Sequence, residues 1–251
     1  MTELALSSDS GAARYAAARP GYPPALFDAV EEMAHRAFRG AYVIDVGAGT
    51  GIATGLMRDR GAEVLAVEPG PGMAAQLRTT HPDIPLVRGE GDALPVASGS
   101  ADFVTYAQSW HWTEPTRSVP EALRVLRPRG VLALWWNSPD PAATWATEQE
   151  ARLCERLPDF RRYSSSPKAP VVINSLYDGL APAFRRLHWS REVTVDTHIA
   201  RLGSRSQLAA DEEKAAPVLA DERSELLRTF PDGMVKEEYI INLTAVRKPA
   251  G

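Results

Sequence analysis

Between residues 41 and 136, short apolar runs alternate with longer segments of helical character. AYVIDVG, AEVLAVE, IPLVRG, ADFVTYA and VLALWW are rich in Val, Ile and Leu, as strands buried on both faces must be. GIATGLMRDRG, GMAAQLRTTHP and EPTRSVPEALRVLRPRG lie between them and predict helices. Strand and helix in alternation predict an α/β fold, a parallel sheet with helices on both faces. Right-handed crossovers then set the strand carboxyl ends along one edge, where ligands of such sheets bind.

The flanks read differently. Ala12 to Ala18 has helical character, Arg19-Pro20-Gly21-Tyr22-Pro23-Pro24 breaks it, and a new helix is predicted from about Ala25. This describes an amino-terminal strap or lid over residues 1–40, ahead of a core spanning 41–137. Residues 138–182 hold one predicted helix around Thr147 to Leu157 and the loop RRYSSSPKAP, and read as a cap inserted after the fifth strand. Residues 183–251 complete the sheet with two further strands, 184–195 and 235–248, suited to antiparallel edge pairing.

With 251 residues, 44% of them hydrophobic, the chain can bury a sizeable core. Its formal net charge is −4, and its 28 basic residues are scattered, so no nucleic-acid footprint is expected. The single cysteine, Cys154, excludes an internal disulfide framework and fits a cytoplasmic protein. No stretch reaches the roughly 18 uninterrupted apolar residues of a membrane span, and no export signal is read at the start. The five histidines share no metal-ligand spacing, so no metal is expected.

DVGAGTG, residues 45–51, leaves a strand and opens a helix, the context that gives a glycine-rich turn its meaning. Gly47, Gly49 and Gly51 permit a tight turn and let a ligand approach without meeting a Cβ. The spacing is GxGxG, not the GxGxxG that seats a dinucleotide pyrophosphate on a helix amino end. Asp45 would repel a diphosphate but could organise an ammonium group through water or backbone, which favours a ligand with an amino-acid portion. Glu68 closes VLAVE, where a carboxylate can accept hydrogen bonds from both hydroxyls of a ribose.

Together these residues resemble the class I S-adenosylmethionine-dependent methyltransferases, in the small-molecule branch that includes trans-aconitate and quinone-pathway enzymes. DVGAGTG resembles the first motif, AVEP the second, GEGDALP the adenine loop and RVLRPRG the corner before strand five. YAAARPGYP and AQSWHW resemble a narrower subgroup with a tyrosine-arginine strap over the cofactor. The resemblance implies a Rossmann-like seven-stranded sheet with the last strand antiparallel. It implies S-adenosyl-L-methionine as cofactor, held by Asp45, Gly47, Ala48, Gly49, Thr50, Gly51, Glu68, Pro69 and Met73. Aligned on Leu94-Pro95, Glu90 takes the adenine-contacting position, Gly91 the backbone amide and Asp92 the next acid; the GDALP alignment makes Asp92 the adenine partner instead. Ala107 and Gln108 would lie beside the methionine moiety. Tyr15 and Arg19 would descend from the strap, although Tyr15 equally suits an aromatic staple and Arg19 a surface residue.

The acceptor side follows from the same edge. His111, just past strand four, is the candidate base or acceptor-positioning group, or else a brace for its own loop. Trp110, Trp112, Trp135, Trp136 and Asn137 supply an aromatic wall, and strand alternation should turn one tryptophan of each pair away. Trp112, Trp136, Asn137 and Tyr22 are therefore the predicted acceptor contacts. Arg161, Arg162 and Lys168 in the cap read as a solvated run or as an attraction for anions. The expected function is transfer of a methyl group to an O or N atom of a small molecule, with C the further option, by a monomer or homodimer, and the branch resembled implies a step in secondary metabolism. A nicotinamide-dependent oxidoreductase and a cofactor-binding regulatory module are the alternatives.

Overall fold

A computed structural model describes residues 19–157, 160, 168–205, 208 and 211–250. Seven strands form one sheet: β1 (Tyr42–Val46), β2 (Glu63–Val67), β3 (Leu86–Val87), β4 (Ala101–Ala107), β5 (Leu126–Pro139), β6 (Ala183–Thr194) and β7 (Met234–Arg247). Their order is β3-β2-β1-β4-β5-β7-β6. The first five pair in parallel, and β7 runs antiparallel between β5 and β6. The expected seven-stranded α/β sheet is the observed one.

Helices α1 (Pro24–Ala34), α2 (Ile52–Asp59), α3 (Pro71–Thr80) and α4 (Pro115–Val125) cover the parallel part. Proline opens α1, α3 and α4, where its missing N–H costs no intrahelical bond. On one face Leu26, Phe27 and Val30 of α1 and Met57 of α2 meet Val43, Phe103 and Trp135 of the sheet. On the other, Val119, Ala122 and Val125 of α4 meet Ile44, Val104, Leu132 and Leu134. Residues 43–46 are buried on both faces, as an interior parallel strand requires.

At the sheet's amino-terminal edge, buried Asp102 accepts hydrogen bonds from the Tyr42 amide at 2.9 Å and from Arg127, and pairs with Arg36 at 2.8 Å. This acid locks the lower ends of the strands, which leaves the opposite edge to carry the site.

Among the described residues of the predicted cap, the two helices pack on different parts of the chain. β5 runs on to Pro139, so the boundary at 138 falls inside a strand. Helix α5 (Thr144–Arg156) packs on α7 (Val195–Gly203) and α8 (Glu212–Thr229) through Leu153, Leu202, Ala215 and Val218. Arg152 binds the buried Glu222 carboxylate of α8 through two hydrogen bonds, at 2.9 and 2.8 Å. Part of the predicted loop is helical: Lys168, Ala169 and Pro170 open α6 (Lys168–Leu176), whose Ala169 and Ile173 pack into the cluster under α4. Arg161 and Arg162 lie outside the described residues, and Lys168 is exposed.

The α5–α7–α8 layer is tied to the sheet through Glu237 of β7. Its carboxylate accepts from His198 Nδ1 and Arg201 Nε at 2.7 Å, Arg191 Nε at 2.6 Å and the Tyr239 hydroxyl at 2.7 Å. Burial pushes this carboxyl up, but the His198 hydrogen bond and the Arg201 charge outweigh it and hold it well below the carboxylate range.

Candidate functional site

The glycine turn lies at the carboxyl edge of β1, stitched to the neighbouring strand by its own backbone. Gly47 and Ala48 donate to the Val67 carbonyl at 2.8 and 3.2 Å. Gly47, Gly49 and Gly51 all have positive φ, at 66°, 60° and 90°. Their surroundings differ. A Cβ on Gly47 would meet Ser109 Cβ at 2.5 Å, and one on Gly51 would meet the His81 ring at 2.8 Å, whereas Gly49 faces open space. Gly47 and Gly51 are thus glycine for packing, and Gly49 leaves the backbone bare toward a ligand.

Glu68, only 6% exposed, joins this turn to the next. Its Oε2 accepts from the Gly49 amide and its Oε1 from the Gly70 amide, both at 2.7 Å. A carboxylate oxygen can accept more than one hydrogen bond. Arg88 fastens the same corner by donating to the carbonyls of Glu68 and Pro69. Met73 is buried on α3 just beyond.

Asp45 is fully buried and accepts from Thr54 Oγ1 at 2.6 Å and Thr105 Oγ1 at 2.9 Å. Burial pushes its pKa up to about 6 against the opposing pull of those two hydroxyls. The carboxylate braces the turn from beneath. Thr50 Oγ1 is buried without a hydrogen-bond partner among the described residues, a polar atom left over in the turn itself.

In the adenine-loop segment the two acids separate. Asp92 accepts from the Glu114 amide at 3.0 and 3.2 Å, holding the start of α4, while Glu90 is exposed. Gly91 is pressed against Thr113, Tyr106 and Val46, so that a Cβ there would lie 2.7 Å from Thr113 Cγ2. The Tyr106 hydroxyl donates to the Gly91 carbonyl at 3.2 Å.

At the end of β4, Gln108 adopts a left-handed φ of 58° and its side-chain amide donates to the Tyr22 hydroxyl at 3.5 Å. Tyr22 packs edge-on against Phe27 and Trp135. Arg19 is partly buried, and Tyr15 lies outside the described residues. Ser109 then turns the chain by donating to the Val46 carbonyl at 2.5 Å.

Residues Trp110–Trp112 form a single 3₁₀ turn. Trp110 is buried and donates to Ser118 Oγ at 2.9 Å, whereas Trp112 is 42% exposed. Trp135 is fully buried and Trp136 only partly. Trp136 Nε1 donates to His111 Nδ1 at 3.3 Å, and the rings of His111 and Trp112 lie 4.6 Å apart. His111 is open to solvent but sits among these rings; that crowding, with Arg19 as the second cause, holds its pKa below the ordinary histidine value.

Asn137 does not join Trp136. It faces the other side of the sheet, buried, with its Oδ1 accepting from Trp189 Nε1 at 2.9 Å. The sequence predicts both as acceptor contacts because they close strand five beside strand four, but strand alternation separates them. No cluster of three or more metal-ligating side chains occurs among the described residues. None of their helices is long and apolar enough to cross a membrane.

Comparison with known proteins bears on this edge directly. Residues 44–134, from β1 through the middle of β5, match the family described as "Methyltransferase domain". The chain is 31% identical over 229 residues to an uncharacterized methyltransferase of Mycobacterium tuberculosis, covering 91% of this chain and 88% of that one. The chain belongs to the methyltransferase family. A demethylmenaquinone methyltransferase of Renibacterium salmoninarum is 34% identical over 53% of this chain and 57% of its own. The fold is shared with a candidate type II methyltransferase from Anaeromyxobacter dehalogenans, at a TM-score of 0.72 and 23% identity over 93% of this chain and 99% of that one.

Several residues that shape the site of this methyltransferase carried no signal that sequence reasoning used. Thr54 and Thr105 hold Asp45, Ser109 fills the space beside Gly47, His81 closes over Gly51, and Arg88 clamps the end of β2. A serine immediately after the left-handed Gln108 could have been found from the tight turn that must follow β4; the others depend on contacts distant in sequence.

Proposed function

We propose that this methyltransferase uses S-adenosyl-L-methionine to methylate an O or N atom of a small molecule, with carbon the less favoured target. The observation that carries this reading is the bare backbone at Gly49 beside the nearly buried Glu68 carboxylate, a cradle that suits a nucleoside and lacks the pyrophosphate seat of a dinucleotide fold. When bound, that cofactor supplies a methyl group on a sulfonium, an excellent leaving group.

The chain's own residues then divide the work. Gly47, Ala48, Gly49, Thr50 and Gly51 border the cofactor with backbone and one spare hydroxyl, and Glu68 is the acid that accepts from ribose hydroxyls. Glu90 is the adenine-side acid in this reading, because Asp92 is engaged by the Glu114 amide. Pro69, Met73 and Gly91 frame the ring, while Ala107, Gln108 and the strap residues Tyr15 and Arg19 attend the amino-acid portion. Tyr22, Trp112 and Trp136 contact the acceptor, and His111 orients it. Holding the acceptor about 3 Å from the methyl and excluding water is the main catalytic demand. The same reading makes the partner a metabolite, not a nucleic acid or a bilayer, in a cytoplasmic tailoring step of secondary metabolism carried out by a monomer or homodimer.

Isothermal titration with S-adenosyl-L-methionine and with a nicotinamide dinucleotide tests the cofactor. Nicotinamide binding without S-adenosyl-L-methionine binding would sink the proposal. Incubation with methyl-labelled cofactor and a metabolite extract tests the reaction; cofactor binding with no label in the small-molecule fraction would leave a regulatory module instead.

A further inference from the structure

We infer that His111 acts as a hydrogen-bond donor through Nε2 and not as a general base, that Trp136 is the positioning residue which fixes this, and that the methyl acceptor is a carboxylate. The inference rests on the methyl-transfer reading for its last part only.

An indole N–H can donate but never accept. With Trp136 Nε1 at 3.3 Å from His111 Nδ1, that ring nitrogen presents its lone pair. A neutral imidazole has one N–H and one lone pair, so the proton is on Nε2. Moving it to Nδ1, or adding a second proton there, would set two N–H groups against each other. The lowered pKa of His111 agrees with a ring that stays neutral, and Arg19 is the charged group that contributes to it.

Trp136 is itself held. Its ring meets Trp110 edge-on, with centroids 6.2 Å apart, and Trp110 is anchored to Ser118 Oγ at 2.9 Å. The Trp112 ring lies 4.6 Å from the imidazole, tilted by 41°. Two tryptophans, Trp136 and Trp112, therefore orient the ring, with Trp110 behind Trp136, and its Nε2–H has no partner among the described residues. A base needs a free lone pair on the nitrogen that meets the substrate, and this geometry offers an N–H in its place.

An alcohol or an ammonium acceptor must lose a proton, which His111 in this state cannot take. A carboxylate arrives without one. One carboxylate oxygen accepts from Nε2–H, the other forms the new C–O bond with its own electron pair, and the C–S bond breaks with its pair remaining on sulfur. The charges cancel, and no proton moves.

The test begins with the free protein and needs no cofactor. Long-range ¹H–¹⁵N correlation spectra of histidine-labelled protein report which ring nitrogen is protonated, and the His111 signals are assigned by their loss in His111→Gln. The expected pattern is the Nε2-protonated tautomer in the wild type, shifting toward a mixture of tautomers in Trp136→Phe. A proton on Nδ1 in the wild type, or a pattern unmoved in Trp136→Phe, overturns the assignment. For the acceptor, mild alkali on the labelled product should release the label as methanol from a methyl ester. Alkali-stable label overturns the carboxylate, whereas the absence of any labelled product defeats the methyl-transfer reading and leaves the tautomer result to stand by itself.

Discussion

Around Gly47–Gly51 the site is made of backbone, whereas across Trp110–Trp136 it is made of side chains that meet from 25 residues apart in sequence. The first region is fixed by positive φ values, amide-to-carboxylate bonds and a turn stitched to Val67, all within the first two strands and their connections. The second is fixed by ring contacts between the ends of β4 and β5. A backbone cradle tolerates little substitution and suits a cofactor shared by many enzymes. A wall of side chains can be rebuilt without disturbing the sheet, which suits the part that chooses the acceptor.

The contrast can be broken most severely at Trp110. Trp110→Ala removes a buried ring and one of the two hydrogen bonds that Ser118 Oγ makes, the other being with Thr113, and should cost roughly 3 to 5 kcal/mol in urea unfolding; a cost below about 1 kcal/mol would show that the tryptophan wall is independent of the core.

Asp45 gives a pH signature to the backbone half. Its folded pKa, pushed up to about 6 by burial, lies above the ordinary aspartate value of 3.8, so the folded state binds the proton more tightly. This contribution favours folding below about pH 4, is lost as pH rises to 6, and is constant above that; a shift of about two units corresponds to on the order of 3 kcal/mol. Asp45→Asn should flatten the fall in stability between pH 4 and 6 relative to the wild type, as measured by urea titration at both limits. An unchanged slope would remove Asp45 as its source.

Glu68→Gln should weaken S-adenosyl-L-methionine binding by roughly 1 to 3 kcal/mol, because charge-assisted bonds become neutral ones and one amide loses its acceptor. Equal affinity for both proteins in calorimetry would exclude Glu68 from the cofactor site.

The pair Gly49→Ala and Gly47→Ala sharpens the two uses of glycine. Both incur the left-handed strain of about 1 to 2 kcal/mol, but only Gly47→Ala must also displace Ser109. Gly49→Ala should therefore keep the more native stability of the two while still obstructing the ligand, and greater destabilisation at Gly49 would contradict that division. The smallest effect on the fold belongs to Trp112→Ala. Being 42% exposed, Trp112 should change stability by about 0.5 kcal/mol or less, with its loss read in the acceptor KM; a drop in stability comparable with Trp110→Ala would place it in the core.

The glycine turn and the acid after β2 were legible because their constraints are local: a tight turn requires glycine, and a strand end places its acid at the sheet edge. The strands were legible for the same reason, including β6 and β7, found within a residue of their observed ends. The cap was not, since helices α5 and α6 carry apolar residues whose partners, Leu202 and Val218 in one case and the cluster under α4 in the other, are set by the folded chain.

By itself, then, the sequence determined an α/β sheet with a glycine-rich, acid-flanked edge, because alternation of apolar runs and turn chemistry act over a few residues. Only the tertiary structure decided that Asn137 turns away from Trp136, that Asp92 is occupied by Glu114, and that Trp136 reaches the Nδ1 of His111. Those outcomes depend on which strand faces which helix and on the register of β4 against β5, quantities that close only when distant segments pack together.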